Sequence, residues 1–175
     1  MKPNHYLLLN LLIVTMILTS CKKNNIEHEN DFDKSFKAWT DFKASSDNSY
    51  HYTVSTVSWT GLSTETQVTV KNGKPIQRSY LAKSVRSTPK NEVTIHEQWT
   101  EDEAKLNTHP NQFKAVTLDE IYQKAKTVWL LKKKNAKSYL ETKNNGMISS
   151  CGYIEENCAD DCFVGINIES IVAGL

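Results

Sequence analysis

Between Tyr50 and Thr100 the chain alternates apolar and polar residues in short runs, and the turns between those runs leave one way to fold. Tyr50, Tyr52 and Val54 alternate with His51, Thr53 and Ser55. Gln67 to Lys71 alternates around Val68 and Val70, and Asn72-Gly73 then supplies the left-handed φ angles of a type I′ hairpin turn. Pro75 begins the return strand with Ile76, Tyr80 and Ala82. After Ser87-Thr88-Pro89, residues 92 to 100 alternate Val93, Ile95, Glu97 and Trp99 against Thr94, His96 and Gln98. Parallel pairing needs crossovers of a dozen residues or more, so these runs form an antiparallel meander of four strands. Val57 and Trp59 break the phase of the first strand and predict a bulge or a strand buried on both faces.

The meander is flanked by helical patterns. Phe32, Phe36, Trp39 and Phe42 recur at spacings of four, three and three, which predicts a helix over 31–45 ending at the turn formers Ser45-Ser46-Asp47-Asn48-Ser49. Residues 101 to 116 lack periodicity and read as a surface loop. Thr117 with Glu120 three residues on is a capping box, and Leu118, Ile121, Tyr122, Ala125, Val128 and Trp129 then occupy one stripe running toward Lys132-Lys133-Lys134. Asn144-Asn145-Gly146 is a second hairpin turn, joining strands over 137–142 and 147–154, and 163–172 closes the chain with Val164, Ile166 and Ile168 on one face. The order defines an α+β class in which an antiparallel sheet packs against two helices, and a cystatin-like or lysozyme-inhibitor-like arrangement is the nearest named architecture. With 39% apolar residues the chain is no disordered polymer, and its length fits one domain.

The first twenty residues are an address. Lys2 precedes a nearly unbroken apolar run from Tyr6 to Leu18, long enough for a signal-peptide core and short of the roughly 20 residues that span a bilayer. Leu18-Thr19-Ser20-Cys21 resembles the bacterial lipobox, in which the cysteine receives lipid before cleavage. The expected organisation is a signal peptide over 1–20, a lipidated tether over 21–30 beginning at an acylated Cys21, and a single α+β domain over 31–175. Lys22 follows Cys21 where an inner-membrane retention signal would have Asp, so the outer membrane is favoured. Twenty-one basic residues against 20 acidic ones give a net charge of +1, and losing Lys2 with the signal brings it to zero. Nucleic acid is thereby an improbable partner.

The lipobox, the Tyr50-x-Tyr52-x-Val54 strand behind an aromatic helix, the Val68-x-Val70-x-Asn72-Gly73 hairpin, and the Thr117-Leu118-Asp119-Glu120-Ile121 helix start leading to Gly152-Tyr153 together resemble a family of small, uncharacterised bacterial lipoproteins. The resemblance covers nearly all of the mature chain. It implies an envelope location and an α+β fold, and it transfers no catalytic residue.

Chemistry-bearing residues concentrate between Cys151 and Cys162. Three cysteines within twelve residues of an exported chain predict a disulfide. A hairpin symmetric about residues 156 and 157 places Cys151 opposite Cys162 and leaves Cys158 at its tip; Cys158 with Cys162, or Cys151 with Cys158, are the alternatives. Glu155, Glu156, Asp160 and Asp161 are oxygen donors of the kind calcium takes, although their spacing is not that of an EF-hand, and a solvated acidic tip is the simpler expectation. Neither G-x-S-x-G, H-E-x-x-H nor a P-loop occurs. Among the histidines, His109, in the same loop as Glu101, Asp102 and Glu103, is the best catalytic candidate in a chain expected to be no enzyme. Trp39, Trp59, Trp99 and Trp129 are expected in a shared aromatic core, the rival being a stacking platform for a glycan or peptide. The expected role is a lipid-anchored, non-enzymatic binding or structural module with an envelope protein as partner. Its alternatives are a hydrolase-inhibitor-like module using the Cys151–Cys162 hairpin, and a calcium- or small-ligand-binding lipoprotein.

Overall fold

The structure, a computed structural model, describes residues 25–86, 92–159 and 162–175. Helix α1 (Glu29–Ser45) leads into the meander β1 (Tyr50–Val57), β2 (Leu62–Lys71), β3 (Lys74–Arg86) and β4 (Glu92–Asp102). A 3-10 turn (Glu103–Lys105) and a loop follow, then α2 (Leu118–Lys124) continued by a π turn (Ala125–Trp129), and strands β5 (Ala136–Glu141), β6 (Ser150–Glu155) and β7 (Val164–Ala173). All seven strands form one antiparallel sheet in the order β4-β3-β2-β1-β7-β6-β5. The α+β class is thus present with the sheet as its larger part.

The last strand closes this sheet. Val164–Asn167 pairs with β6, and Ile168–Ala173 pairs with β1. A bulge at the β1 contact lets Ile166, Ile168 and Ile171 all face inward, while Val164 at the strand's start is 45% exposed. This bulge, with Glu169 as the extra residue opposite Thr53 and Val54, is not the one expected at Val57 and Trp59, where β1 simply ends. The register of β1 with β2 is unbroken as far as Val57.

Both helices cover one face of the sheet. Phe32, Ser35 and Trp39 are the buried residues of α1, so its inward stripe is rotated from the expected one and leaves Phe36 partly exposed. Ser35 takes the inner position because its hydroxyl meets the Tyr122 hydroxyl at 2.8 Å. The capping box of α2 is present: Thr117 Oγ1 accepts from the Glu120 amide and Glu120 Oε2 accepts from the Thr117 amide at 2.7 Å. The helix then widens, and the Leu130 amide donates to the Ala125 carbonyl. That extra residue per turn brings both Trp129 and Leu130 into the core and ends the helix there, short of the lysines expected to terminate it.

The core between helices and sheet is aromatic. Trp39 stacks on Tyr122 and meets Tyr50 edge-on, with centroids 6.2 and 5.2 Å apart. The three tyrosine hydroxyls of this core are satisfied: Tyr50 accepts from the Leu118 amide, Tyr52 donates to the Val116 carbonyl, and Tyr122 donates to the Ser35 carbonyl. Packed chain begins at Ile26, within the expected tether, where Ile26 is buried and bridges Leu131.

Candidate functional site

Residues Arg78 and Tyr80 on β3 lie directly opposite Glu101 and Trp99 on β4, so all four side chains share the face that the helices cover elsewhere. Here the loop 106–116 covers them instead. Glu101 is 2% exposed and Arg78 is fully buried. Arg78 Nε donates to Glu101 Oε2 at 2.9 Å and Nη2 to Oε1 at 2.8 Å, a bidentate pair. Two further guanidinium donors reach the Phe113 carbonyl at 2.8 Å and the His109 carbonyl at 3.2 Å.

The carboxylate organises the loop in turn. Glu101 Oε2 accepts from the Asn107 amide at 2.8 Å, and Oε1 accepts from Thr108 Oγ1 at 2.8 Å and the His109 amide at 2.9 Å. His109 Nδ1 lies 2.6 Å from the same Oε1. Burial by itself raises a carboxyl pKa, but the hydrogen bonds from Arg78, His109 and Thr108 outweigh it and hold Glu101 well below the usual carboxylate range. The His109 ring stacks on Trp99 at 3.9 Å, Tyr80 covers the Trp99 ring at 5.1 Å, and the Arg78 guanidinium lies 4.8 Å from its centroid.

His109 and Glu101 are therefore brought together, as a catalytic histidine and its orienting carboxylate would be. Asp102 and Glu103 are not part of the cluster. The His109 ring meets Glu101 through Nδ1, and the Thr108 hydroxyl is spent on the same Oε1. Arg78, missing from the sequence reading, is the residue on which the cluster is built. Its signal was its register opposite Glu101, visible only once the β3–β4 pairing is fixed.

The cysteine-rich hairpin differs from the symmetric expectation. Cys158 and Cys162 form the disulfide, with Cα atoms 5.9 Å apart, and Cys151 is a free, buried thiol. The expected Cys151–Cys162 bridge is absent because Cys151 faces Ile166 across β6 and β7, inside the core. The pairing is fixed by Gly152 opposite Gly165, where the Phe163 ring fills the space a Cβ on either residue would need. Burial pushes the Cys151 thiol up to about 12, which keeps it protonated and unreactive.

Of the four carboxylates considered for calcium, Glu155 and Glu156 are exposed, and Asp160 and Asp161 lie outside the described residues. Among the described residues no three His, Cys, Asp or Glu side chains converge as a metal site. The tryptophans divide: Trp39 and Trp129 are core, Trp99 belongs to the Arg78–Glu101 cluster, and Trp59 is 81% exposed in the β1–β2 turn. The shared aromatic core expected of all four thus holds Trp39 and Trp129 and excludes both Trp99 and Trp59. A groove of about 380 Å³ lined by Phe113, Val116, Trp129 and Gly165 opens to solvent beside α2. What the arrangement defines is an α+β domain with a helix-covered, seven-stranded antiparallel sheet and an ion pair that pins a loop. Comparison with protein families, curated proteins and solved structures returned no match.

Proposed function

We propose that the protein is a lipid-anchored cell-envelope module, held in the outer membrane by an acylated Cys21, that binds an envelope protein and does no chemistry of its own. The anchor rests on the lipobox Leu18-Thr19-Ser20-Cys21 and on the resemblance to small bacterial lipoproteins. The binding role rests on β4. This eleven-residue strand pairs with β3 on one side only, and among the described residues no strand takes its other edge. It contains neither Pro nor Lys, and its bulge at His96 leaves Glu97–Asp102 as a regular stretch of free edge to which an extended segment of a partner can add by backbone hydrogen bonds. The use of Glu101 is consistent with a non-enzymatic role, since both its oxygens are engaged in holding the loop.

The test has two arms. Growth with an alkyne fatty acid should label the wild-type chain and leave Cys21→Ala unlabelled; equal labelling removes the anchor. A photo-crosslinking residue placed at Gln98 on β4 should trap a partner in intact cells, and the same residue at Lys37 on the exposed face of α1 should not. Trapping at neither position, or equally at both, removes the β4 reading.

A second reading is favoured by the bridged tip. Cys158–Cys162 bridges the connection between β6 and β7 beside the exposed Glu155 and Glu156, and a disulfide-bridged tip is a means by which an inhibitor enters a hydrolase groove. Inhibition of lysozyme by the purified protein, abolished by Cys158→Ser with Cys162→Ser, would establish it; unchanged lysozyme activity removes it for that enzyme.

A further inference from the structure

One end of the sheet carries apolar side chains that the core does not use. Trp59 sits in the turn between β1 and β2, beside Val57, which is 78% exposed. The turn is closed by the Ser58 amide donating to the Leu62 carbonyl at 2.8 Å and the Gly61 amide donating to the Ser58 carbonyl at 3.0 Å. Gly61, at φ 83, supplies the left-handed residue it needs. A hydrogen-bonded turn that presents a tryptophan to solvent is built to hold it outside the domain. Pairing of Leu62 with Ser84 and of Val85 with Val93 puts three more exposed apolar residues at the same end.

The chain enters the domain at this end too. Because β7 is antiparallel to β1 and β6 to β7, the start of β7 and the end of β6 are level with the end of β1, and Ala136 at the start of β5 pairs with Glu155 at the end of β6. In the segment that leads into β5, the Lys132 amide donates to the Asn25 carbonyl at 3.0 Å and the Glu27 amide to the Leu130 carbonyl at 2.7 Å, while the Glu156 amide at the end of β6 donates to the Asn135 carbonyl. Three strand spacings, about 14 Å in all, separate β5 from β1. Cys21 precedes Asn25 by four residues, and that length of chain spans at most about 14 Å. A lipid on Cys21 therefore holds this end of the sheet against the bilayer.

We propose that the Trp59 turn, with Val57, Leu62, Val85 and Val93, seats in the membrane–water interface and fixes the orientation of the anchored domain. The proposal rests on the lipid-anchor reading above. Tryptophan favours the headgroup layer, where its ring is buried and its N–H stays solvated. The same end carries exposed carboxylates at Glu92, Glu155 and Glu156 as well as Lys132 and Lys134, so contact is apolar and does not need anionic lipid. Seated this way, the free edge of β4 stands roughly along the membrane normal and remains open to a partner.

The test uses the full chain, processed in cells and reconstituted into phosphatidylcholine vesicles, with and without lipid brominated high on its acyl chains. Subtracting the emission of Trp59→Phe from that of the wild type isolates Trp59, and equal melting temperatures of the two confirm that the core is intact. Intact mass reports whether Cys21 is acylated. The expected result is an acylated protein whose Trp59 emission is blue-shifted, quenched by brominated lipid and protected severalfold from acrylamide, equally at low and high salt. Acylated, vesicle-bound protein whose Trp59 is quenched by acrylamide as freely as without vesicles overturns the seat and leaves the anchor standing. An unmodified Cys21 overturns both. Protection of Trp59 by a protein from envelope extract but not by vesicles overturns the seat in favour of a protein contact.

Discussion

Replacing Glu101 by Gln tests the role assigned to the buried ion pair, because it preserves shape and removes charge. In the native protein Oε1 accepts from Arg78 Nη2, Thr108 Oγ1 and the His109 amide, with His109 Nδ1 also at hydrogen-bond distance, while Oε2 accepts from Arg78 Nε and the Asn107 amide. A glutamine keeps one acceptor oxygen and turns its NH₂ toward the donors of the other side. With its oxygen at the crowded position, the NH₂ faces Arg78 Nε–H and the Asn107 N–H, leaving both without an acceptor. Arg78 is fully buried, so its charge is then uncompensated. Breaking a buried pair in this way costs about 3–5 kcal/mol, much of a small domain's stability. The depressed pKa of Glu101 fixes the sign with pH. A carboxyl that is more acidic folded than unfolded contributes its stability above the unfolded value of about 4.3, and that contribution is lost progressively as pH falls below it. Urea unfolding at pH 7 should show the full deficit of Glu101→Gln, and the deficit should narrow at pH 3 as the wild type loses what the variant never had. Adding Arg78→Met to Glu101→Gln should cost less than the two single changes summed, by about 2 kcal/mol or more. A deficit under about 1 kcal/mol at pH 7, or one that does not change with pH, would refute this account of the cluster.

The remaining predictions concern separate parts of the fold. Reducing Cys158–Cys162 removes a loop of only a few residues, so the chain-entropy loss is at most about 2 kcal/mol by denaturant midpoint, and the β6–β7 pairing should survive in amide exchange. Maleimide should leave Cys151 unlabelled in the native protein and label it in urea; labelling at native rates would mean the thiol is not enclosed. Gly165→Ala drives a Cβ toward Gly152 Cα and the Phe163 ring, and should destabilise by about 1–3 kcal/mol in thermal unfolding, with displacement of the Phe163 ring as its signature. Thr117→Ala removes the cap of α2 and should cost about 1 kcal/mol, while Thr117→Ser should restore most of it.

The parts of the fold that follow from local chemistry are legible in the sequence. Asn72-Gly73 and Asn145-Gly146 adopt the positive φ angles their turns require, and the Thr117–Glu120 box starts α2 where its hydrogen-bonding groups dictate. The long first half of β2 is hidden because its inward residues are polar: Thr66, buried opposite Tyr80, gives no apolar alternation to read. The rotated face of α1 is hidden for a similar reason. Phe36 looks like the inner residue until Ser35 acquires a hydroxyl partner from Tyr122, eighty-seven residues away. Nor does any local rule place β7 beside β1, since that pairing joins residues more than a hundred positions apart.

The candidate sites are less legible because strand periodicity fixes which face a residue occupies but leaves its partner along the strand undetermined. On β4, Trp99 and Glu101 share a face by their spacing, yet Glu101 is one of three acids in Glu101-Asp102-Glu103 until register sets it opposite Arg78. The cysteine hairpin shows the same ambiguity more sharply. A hairpin centred on residues 156 and 157 pairs Cys151 with Cys162, whereas the observed register centres on 158 and 159 and pairs Cys151 with Ile166. Those two partners differ by four positions, an even number, so both registers keep every side chain on its own face, and an alternation of apolar and polar residues cannot distinguish them. The choice is made by volume. Only the observed register sets Gly152 against Gly165 so that the Phe163 ring can lie across both, and it puts Cys151 in the interior beside Ile166 rather than at a loop's base. That leaves Cys158 and Cys162 outside the paired strands, where they bridge to each other.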